Sequence, residues 1–227
     1  MDLKQLPTPS YVVDEKLLRR NLEILKSVQD RTGCKILLAL KGFSMHAVFP
    51  LVGQYLKGIA ASSLFEARLG YEEMGKEVHV YAPAYVEEDM EELLGYCDHM
   101  VFNSFSQWRK YKDKVLSHPR KIKCGIRINP EYSEIATDIY NPCFRNSRLG
   151  VTLANFRPEE LEGITGLHFH TLCEQNSDTL ERTLQVVEEK FGQYITQMQW
   201  LNLGGGHHIT RPDYDIETLV RCILHLK

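Results

Sequence analysis

The chain has 227 residues, of which 43% are hydrophobic and 25% are charged, and its net charge is −3 at neutral pH. This composition is typical of a folded globular protein with one large domain or two small ones. It shows no cluster of Lys and Arg and no apolar run of about 18 residues, so we expect neither nucleic acid nor a membrane as a partner. The six cysteines form no C-x-x-C pair and the first ten residues lack an apolar signal core, which predicts a cytoplasmic protein with reduced thiols.

Short β-rich apolar runs alternate with longer amphipathic segments along the chain. The first are a short strand at 11–13 and a helix at 15–32 with Asp14 as its N-cap. A continuous apolar run at 35–41 then predicts a strand buried on both faces. The remaining predicted elements, in chain order, are a helix at 46–55, a strand at 58–62, a helix at 64–74, a strand at 79–82, a helix at 87–96, a strand at 99–103, a helix at 106–114, strands at 123–129 and 166–171, a helix at 178–191, a strand at 199–203 and a helix at 216–226.

This alternation is typical of βαβ units and a parallel sheet. From residue 35 onward the pattern contains seven strands, whereas a TIM barrel needs eight. We therefore predict an α/β fold of the TIM (β/α)8 type, truncated after the seventh β/α unit. A doubly wound open sheet is the alternative, but such sheets usually have fewer strands and a phosphate loop after the first strand, and none follows Lys41.

Two features lie at the carboxyl ends of predicted strands, where parallel barrels carry their active sites. Lys41 ends the first barrel strand, and partial desolvation there would favour the neutral amine that attacks a carbonyl; otherwise it simply extends into water. Gly204, Gly205 and Gly206 follow the seventh strand. Their backbone N–H groups could hold a phosphate, or the three glycines could be a flexible turn.

Histidines also lie near these strand ends. His168 and His170 are two residues apart on the sixth predicted strand and so share a face. A metal site that also uses Cys173, His207 and His208 is one interpretation, although no standard ligand spacing supports it. The others are an imidazole that stacks on an aromatic cofactor and an ordinary packed histidine.

Two charged residues complete the set of candidates. Arg148 closes the irregular stretch at 130–146 and could pair with a carboxylate or phosphate, or face solvent. Glu174 follows the sixth strand and could bind an ammonium group, or be merely solvated.

In their order along the chain, the lysine, the strand histidine and the glycine turn resemble the fold-type III enzymes that use pyridoxal 5′-phosphate (PLP), such as alanine racemase and the ornithine, arginine and diaminopimelate decarboxylases. Several segments resemble one family more closely, the carboxynorspermidine decarboxylases. These segments are TPSYVVD at 8–14, LALKGF at 38–43, AASS at 60–63 with Glu66, NPC at 141–143 with SRLG at 147–150, GLHFHTLCE at 166–174 and LGGGHH at 203–208.

The resemblance implies roles for individual residues. Lys41 would hold PLP as a Schiff base, His170 would stack on its pyridine ring, and the glycines at 204–206 would hold its phosphate. Ser63 would lie near the cofactor, and Arg148 would contact the cofactor or cap the site.

The implied reaction removes a carboxylate from carboxynorspermidine or carboxyspermidine and gives norspermidine or spermidine, with PLP as electron sink. Glu174 would face the polyamine, and no residue is assigned to a metal. The family also has an eighth strand with a Glu-Pro-Gly segment and a β-rich C-terminal domain that completes the site across a dimer interface. Neither occurs in this sequence, so 1–14 would join that missing domain and 15–227 would form an incomplete barrel. We expect a homodimer when the protein is complete and no activity from this chain alone.

Three alternatives remain open. A standalone PLP-binding barrel without decarboxylase activity fits the length. An amino-acid racemase of the same fold requires a tyrosine in the C-terminal domain, which lies beyond the segment given by this sequence. A metal-dependent barrel hydrolase would use His168, His170 and His208.

Overall fold

The computed structural model describes residues 3–227, and its centre is a single sheet of seven parallel strands that follow one another in chain order. The strands are β1 (Leu37–Ala39), β2 (Gly58–Ala61), β3 (Glu77–Tyr81), β4 (His99–Phe102), β5 (Lys123–Arg127), β6 (Ile164–His168) and β7 (Trp200–Asn202). The α-helices are α1 (Glu15–Thr32), α2 (Phe49–Val52), α3 (Leu64–Glu73), α4 (Met90–Tyr96), α5 (Phe105–Ser117), α6 (Ser177–Ile195) and α7 (Ile216–His225). The predicted α/β fold with seven barrel strands is confirmed.

The two faces of the sheet have different surroundings. In β3, Val78 and Val80 are fully buried against the helices, whereas Glu77, His79 and Tyr81 alternate with them and are only partly buried. Successive side chains of a strand point to opposite faces, so these three residues face the inside of the curled sheet. The main apolar core therefore lies between the sheet and its helices, and the polar side chains of β3 point inward.

Contacts between the first and last helices hold the two ends of the sheet near each other. Arg31 of α1 forms an ion pair with Glu217 of α7 at 2.5 Å, and Lys227 donates a hydrogen bond to the carbonyl of Thr32. The sheet is therefore strongly curled, with β1 and β7 at its two edges. No hydrogen-bonded ladder joins β1 to β7 within residues 3–227.

Polar N-caps fix the starts of four helices. The side chains of Asp14, Ser63, Ser104 and Asp215 each accept a hydrogen bond from a backbone N–H two or three residues later, at the starts of α1, α3, α5 and α7. Such caps satisfy N–H groups that have no partner inside the helix. The predicted bounds of α1 and its Asp14 cap are both confirmed.

Three predictions on local structure are wrong. Residues 11–13 form no strand, because no neighbouring strand of this chain lies beside them, and Tyr11 is almost fully exposed. The strand predicted at 35–41 is only Leu37–Ala39 and is half-buried, because it lies at the edge of the sheet. The helix predicted at 46–55 is a 3-10 turn at His46–Val48 followed by the short α2.

Two further findings concern the helices and the cysteines. Within residues 3–227, no helix combines the length and the apolar character needed to span a membrane. All six cysteines are free, with Cys97, Cys124 and Cys222 buried and Cys173 exposed.

Candidate active site

Lys41 and His170 lie at the same, carboxyl-terminal end of the sheet. Lys41 is in the turn two residues beyond β1, and His170 is two residues beyond β6. Lys41 is exposed, so the expected partial desolvation is not provided by this chain: β1 ends at Ala39, and the lysine extends past the apolar part of the strand.

The His170 ring is neutral. Burial is the largest cause, and the positive charges of Lys41 and Arg127 add to it, so the pKa of His170 falls to about 4. Its Nδ1 accepts a hydrogen bond from the Gly205 N–H at 3.0 Å. The ring proton therefore lies on Nε2, and the histidine is attached to the glycine turn.

The glycine turn packs closely against the backbone that follows β6. Gly204 and Gly206 have φ values of +74° and +89°, and a Cβ on either would lie 2.5 Å from the Phe169 carbonyl oxygen or 2.1 Å from the Leu172 carbonyl oxygen. Only glycine fits at these two positions. A Cβ on Gly205 would instead point into open space, with His170 Cε1 its sole neighbour, at 3.9 Å.

Some of the backbone N–H groups of the glycine turn already have partners within the chain and are not free for a ligand. The Gly204 N–H donates to Asn202 Oδ1 at 2.8 Å, and the Gly205 N–H donates to His170. The Gly206 N–H has no hydrogen-bond partner within residues 3–227. The turn therefore fits a phosphate through Gly206, and through Gly205 once that N–H is released from His170.

A chain of hydrogen bonds that sequence reasoning missed crosses the inside of the sheet. Arg127 of β5 donates to the Tyr81 hydroxyl at 2.8 Å and to the His170 carbonyl at 3.1 Å. The Tyr81 hydroxyl in turn donates to Asn103 Oδ1 at 2.8 Å. Burial raises the pKa of Tyr81, which keeps the phenol protonated as this network requires. The network fixes the position of the segment that carries His170.

Arg127 is a buried cation, only 4% exposed, and it pairs with no carboxylate among residues 3–227. A buried charge without a counter-charge is costly, so the site favours an anionic or electron-rich ligand near this guanidinium. In the sequence, Arg127 is visible only as one position in an alternating strand. The alternation does not show whether that position faces the inside or the outside of the sheet.

Asn103 also holds the segment that contains Arg148. Its amide donates to the Arg148 carbonyl at 2.8 Å, and its oxygen accepts from the Gly150 N–H at 2.8 Å. This fixes the backbone of Arg148 at the end of β4, while the Arg148 side chain is exposed.

Ser63 has a local structural role, and Glu174 is an exposed residue of the loop after β6. The Ser63 hydroxyl accepts from the Glu66 N–H at 3.2 Å, and the Glu66 carboxylate accepts from the Ser62 N–H at 2.6 Å, so the two side chains cap α3 reciprocally. Glu174 is exposed and has a φ of 56°. The contact of either residue with a ligand stays a prediction.

The histidines of the metal-hydrolase alternative are not brought together as ligands. His168 is buried, its Nδ1 is 3.3 Å from the Asn202 carbonyl oxygen, and burial lowers its pKa to about 3. His207 is bound to the Tyr214 hydroxyl at 2.9 Å. In the part of the chain that the structure describes, His168, His170 and His208 form no metal-ligand cluster.

Comparison with known proteins gives the following relatives. No family model matches the chain. The carboxynorspermidine/carboxyspermidine decarboxylase of Campylobacter jejuni is 46% identical over 220 residues, which is 97% of this chain and 56% of that protein. The carboxyaminopropylagmatine decarboxylase of Synechocystis is 45% identical over 221 residues, covering 97% of this chain and 57% of the relative.

Comparison with solved structures also finds decarboxylases. The crystal structure of carboxynorspermidine decarboxylase from C. jejuni with norspermidine matches with a TM-score of 0.88 and 43% identity, over 97% of this chain and 56% of that one. Diaminopimelate decarboxylase from Helicobacter pylori, with L-lysine, matches with a TM-score of 0.74 at 16% identity, over 98% of this chain and 61% of that one, which shows the fold alone.

The chain spans a little over half the length of the curated relatives that it matches. Its seven strands correspond to the barrel of the fold-type III PLP decarboxylases. Over nearly its whole length, the chain is thus a homologue of the carboxynorspermidine decarboxylases.

Proposed function

We propose that this chain is the barrel part of a PLP-dependent decarboxylase that acts on a carboxylated polyamine and produces norspermidine or spermidine. The observation that carries the proposal is the meeting, at one end of the sheet, of an exposed amine, a neutral imidazole and a glycine turn: Lys41, His170 and residues 204–206. The relatives at 46% and 45% identity support the same reaction class.

PLP, when bound, supplies the electron sink for loss of the carboxylate. Lys41 provides the primary amine that holds it, and its exposure leaves the amine accessible. The His170 ring, held by Gly205 and kept neutral, offers a flat face for stacking without adding positive charge. The Gly206 N–H, which has no hydrogen-bond partner within residues 3–227, serves the phosphate.

The buried Arg127 guanidinium orients this arrangement from inside the sheet. Through Tyr81 and the His170 carbonyl it fixes β3 and the segment that follows β6, and its uncompensated charge favours an electron-rich ligand. The exposed Arg148 and Ser63 at the rim contact the cofactor or close the site. Glu174, also exposed at the rim, faces the ammonium groups of the polyamine.

A second substrate is supported almost equally. Carboxyaminopropylagmatine ends in a guanidinium group where carboxynorspermidine ends in an amine, and the relative named for it is 45% identical against 46%. Rates of CO2 release from the two compounds by the full-length protein distinguish these candidates.

The proposal is tested by adding PLP to the chain, recording the visible band of lysine-bound cofactor, reducing with borohydride and mapping the labelled peptide. We expect the label on Lys41 and its loss in Lys41→Ala, with the exposed Lys57→Ala as matched control. Labelling of another lysine would contradict the assignment. If this chain gives no band, the test is repeated on a chain extended to the length of its relatives, and absence of the band there overturns the proposal.

For the complete protein we further propose a cytoplasmic homodimer without a nucleic-acid or membrane partner. The supporting argument is the resemblance, in which a second subunit completes the site. The isolated chain is then expected to release no CO2 from either substrate, while the extended protein does.

A further inference from the structure

Three potential metal ligands converge at the amino-terminal end of the sheet, opposite Lys41. Glu77 and His79 are two residues apart on β3 and share its inward face. His99, the first residue of β4, is paired in register with His79 on the neighbouring strand. Neighbouring strands lie about 4.8 Å apart, so one carboxylate and two imidazoles are directed into the same small volume.

The distances confirm this convergence. His79 Nε2 lies 3.0 Å from Glu77 Oε2, and one candidate ligand atom from each of the three residues lies within 4.8 Å of the other two. The two imidazole rings are stacked, with centroids 3.9 Å apart and planes 8° from parallel.

One of these ligands lacks a partner. His99 is only 7% exposed, and its Nδ1 is buried without a hydrogen-bond partner within residues 3–227. A buried polar nitrogen in this condition costs free energy, and an ion bound at the cluster would remove that cost.

We propose that Glu77, His79 and His99 bind one divalent ion of the zinc class, with a fourth position open to water. Two imidazoles and one carboxylate are a ligand set that zinc accepts, and imidazole ligands favour zinc, copper and nickel over magnesium or calcium. Binding turns the two rings out of their stack, so that one nitrogen of each points at the ion.

The protonation states suit this ligand set. Burial lowers the pKa of His79, and burial lowers the pKa of His99 to about 3, so both rings are neutral at neutral pH and each keeps one unprotonated nitrogen. Burial raises the pKa of Glu77, but hydrogen bonds from Lys35 and His79 outweigh it and hold this pKa at about 2. The ion then enters without net release of a proton, while the His79 proton that faces Glu77 moves to the other ring nitrogen.

The positive charge of Lys35 lowers the affinity of the site for a cation. Its Nζ lies 2.5 Å from Glu77 Oε1, the carboxylate oxygen that does not face His79. The ion therefore takes Oε2 while Lys35 stays on Oε1, and the positive charge of Lys35 weakens the binding of the cation. The site lies at the end of the barrel that serves stability rather than catalysis, so the ion cross-links β3 to β4.

The test is calorimetric titration of the full chain with Zn²⁺ alone, together with Co²⁺ absorption spectra as a readout of ligand geometry. We expect one ion per chain, a higher Tm with zinc, and a loss of about 100-fold in affinity in Glu77→Gln and in His99→Gln. The matched control is His225→Gln, because His225 lies 2.9 Å from Glu188 on the surface but belongs to no three-ligand cluster within residues 3–227. The zinc affinity of this variant should equal that of the wild type.

Lys35→Met supplies a variant that keeps all three ligands. Lys35 is about half exposed, so the substitution should leave the fold intact, and removal of its charge should raise the zinc affinity by about tenfold. Wild-type chain that binds no zinc, equal binding by wild type and His99→Gln, or an affinity that does not rise in Lys35→Met would each overturn the proposal. None of these results depends on PLP, so they are independent of the proposed decarboxylase function.

Discussion

The two ends of the sheet use histidine in opposite ways. At the carboxyl-terminal end, His170 is attached to a loop through the Gly205 N–H and is next to open space. At the amino-terminal end, His79 and His99 are stacked on each other, and the edge of Trp200 packs against His99 with ring centroids 5.1 Å apart. Burial lowers the pKa of all three. A backbone N–H of a loop positions His170, whereas side-chain contacts, including the hydrogen bond from His79 to Glu77, position the other two.

The glycines at the two ends of the sheet also have different structural roles. Gly204 and Gly206 allow a turn with positive φ that presses against the backbone after β6. Gly125 and Gly166, on the inward faces of β5 and β6, instead leave room for the Trp200 ring, which a Cβ would approach to 2.4 Å and 2.0 Å. The lack of a Cβ at these glycines therefore allows a tight turn at one end of the sheet and makes room for the Trp200 ring at the other.

Gly166→Ala should produce the largest effect, because its methyl group would overlap the centre of the Trp200 indole. We expect a loss of about 3 kcal/mol in the free energy of unfolding, as for overpacked cores, measured by urea denaturation. Gly192→Ala in α6 is the matched control: a Cβ there meets nothing within 4 Å, and alanine should stabilise the helix by about 0.5–1 kcal/mol. Equal effects of the two substitutions would show that Trp200 does not fill the inside of the sheet.

Mild acid should weaken both ends. The pKa of His99 and that of His168 lie at about 3 in the folded chain, against an ordinary value of 6.5. Between these values the unfolded chain binds protons that the folded chain does not, so the stability present above pH 6.5 is lost as the pH falls. At pH 5 each histidine should cost about 2 kcal/mol relative to pH 7.

His99→Gln separates the contributions of the two ends. Urea denaturation at pH 7 and pH 5 should show a pH-dependent loss that is about 2 kcal/mol smaller than in the wild type, and His225→Gln on the surface should leave it unchanged. A pH-dependent loss of the same size in His99→Gln and wild type would mean that His99 is protonated in the folded chain.

Gly205→Ala should alter the open end without unfolding it. Its Cβ would enter the open space next to His170, so we expect normal stability and an affinity for PLP lowered by about tenfold, or about 1.4 kcal/mol, in titrations of the visible band. Gly206→Ala should instead destabilise the chain, because its φ is +89° and its Cβ would meet the Leu172 carbonyl. Unchanged PLP affinity in Gly205→Ala would exclude this turn as the phosphate site.

Arg127→Met should have the smallest effect. The Arg127 charge is one of the causes that lower the pKa of His170, so its removal should raise that pKa, as followed by NMR titration of the ring. Arg148→Met is the control: Arg148 is exposed and is not among the charges that shift His170. A shift of equal size in both variants would exclude the specific action of Arg127.

Much of the candidate site could be predicted because the ends of the strands can be located from the sequence pattern. Lys41, His170 and Gly204 all follow apolar runs, and parallel strands bring their carboxyl ends to one edge. Arg127 and Tyr81 were missed, because their importance depends on which face of each strand turns inward. That choice is made by the packing of the helices and cannot be read from one strand alone.

The sequence by itself determined the order of seven strands and their helices, the Asp14 cap and the residues at the strand ends, since these depend on periodicity and local hydrogen bonding. Only the tertiary structure decided that β1 is a half-buried edge, that Arg127 is a buried cation without a carboxylate partner, and that Glu77, His79 and His99 converge. These features depend on strand pairing and on the packing of the helices against the sheet, which bring together side chains that are distant in sequence.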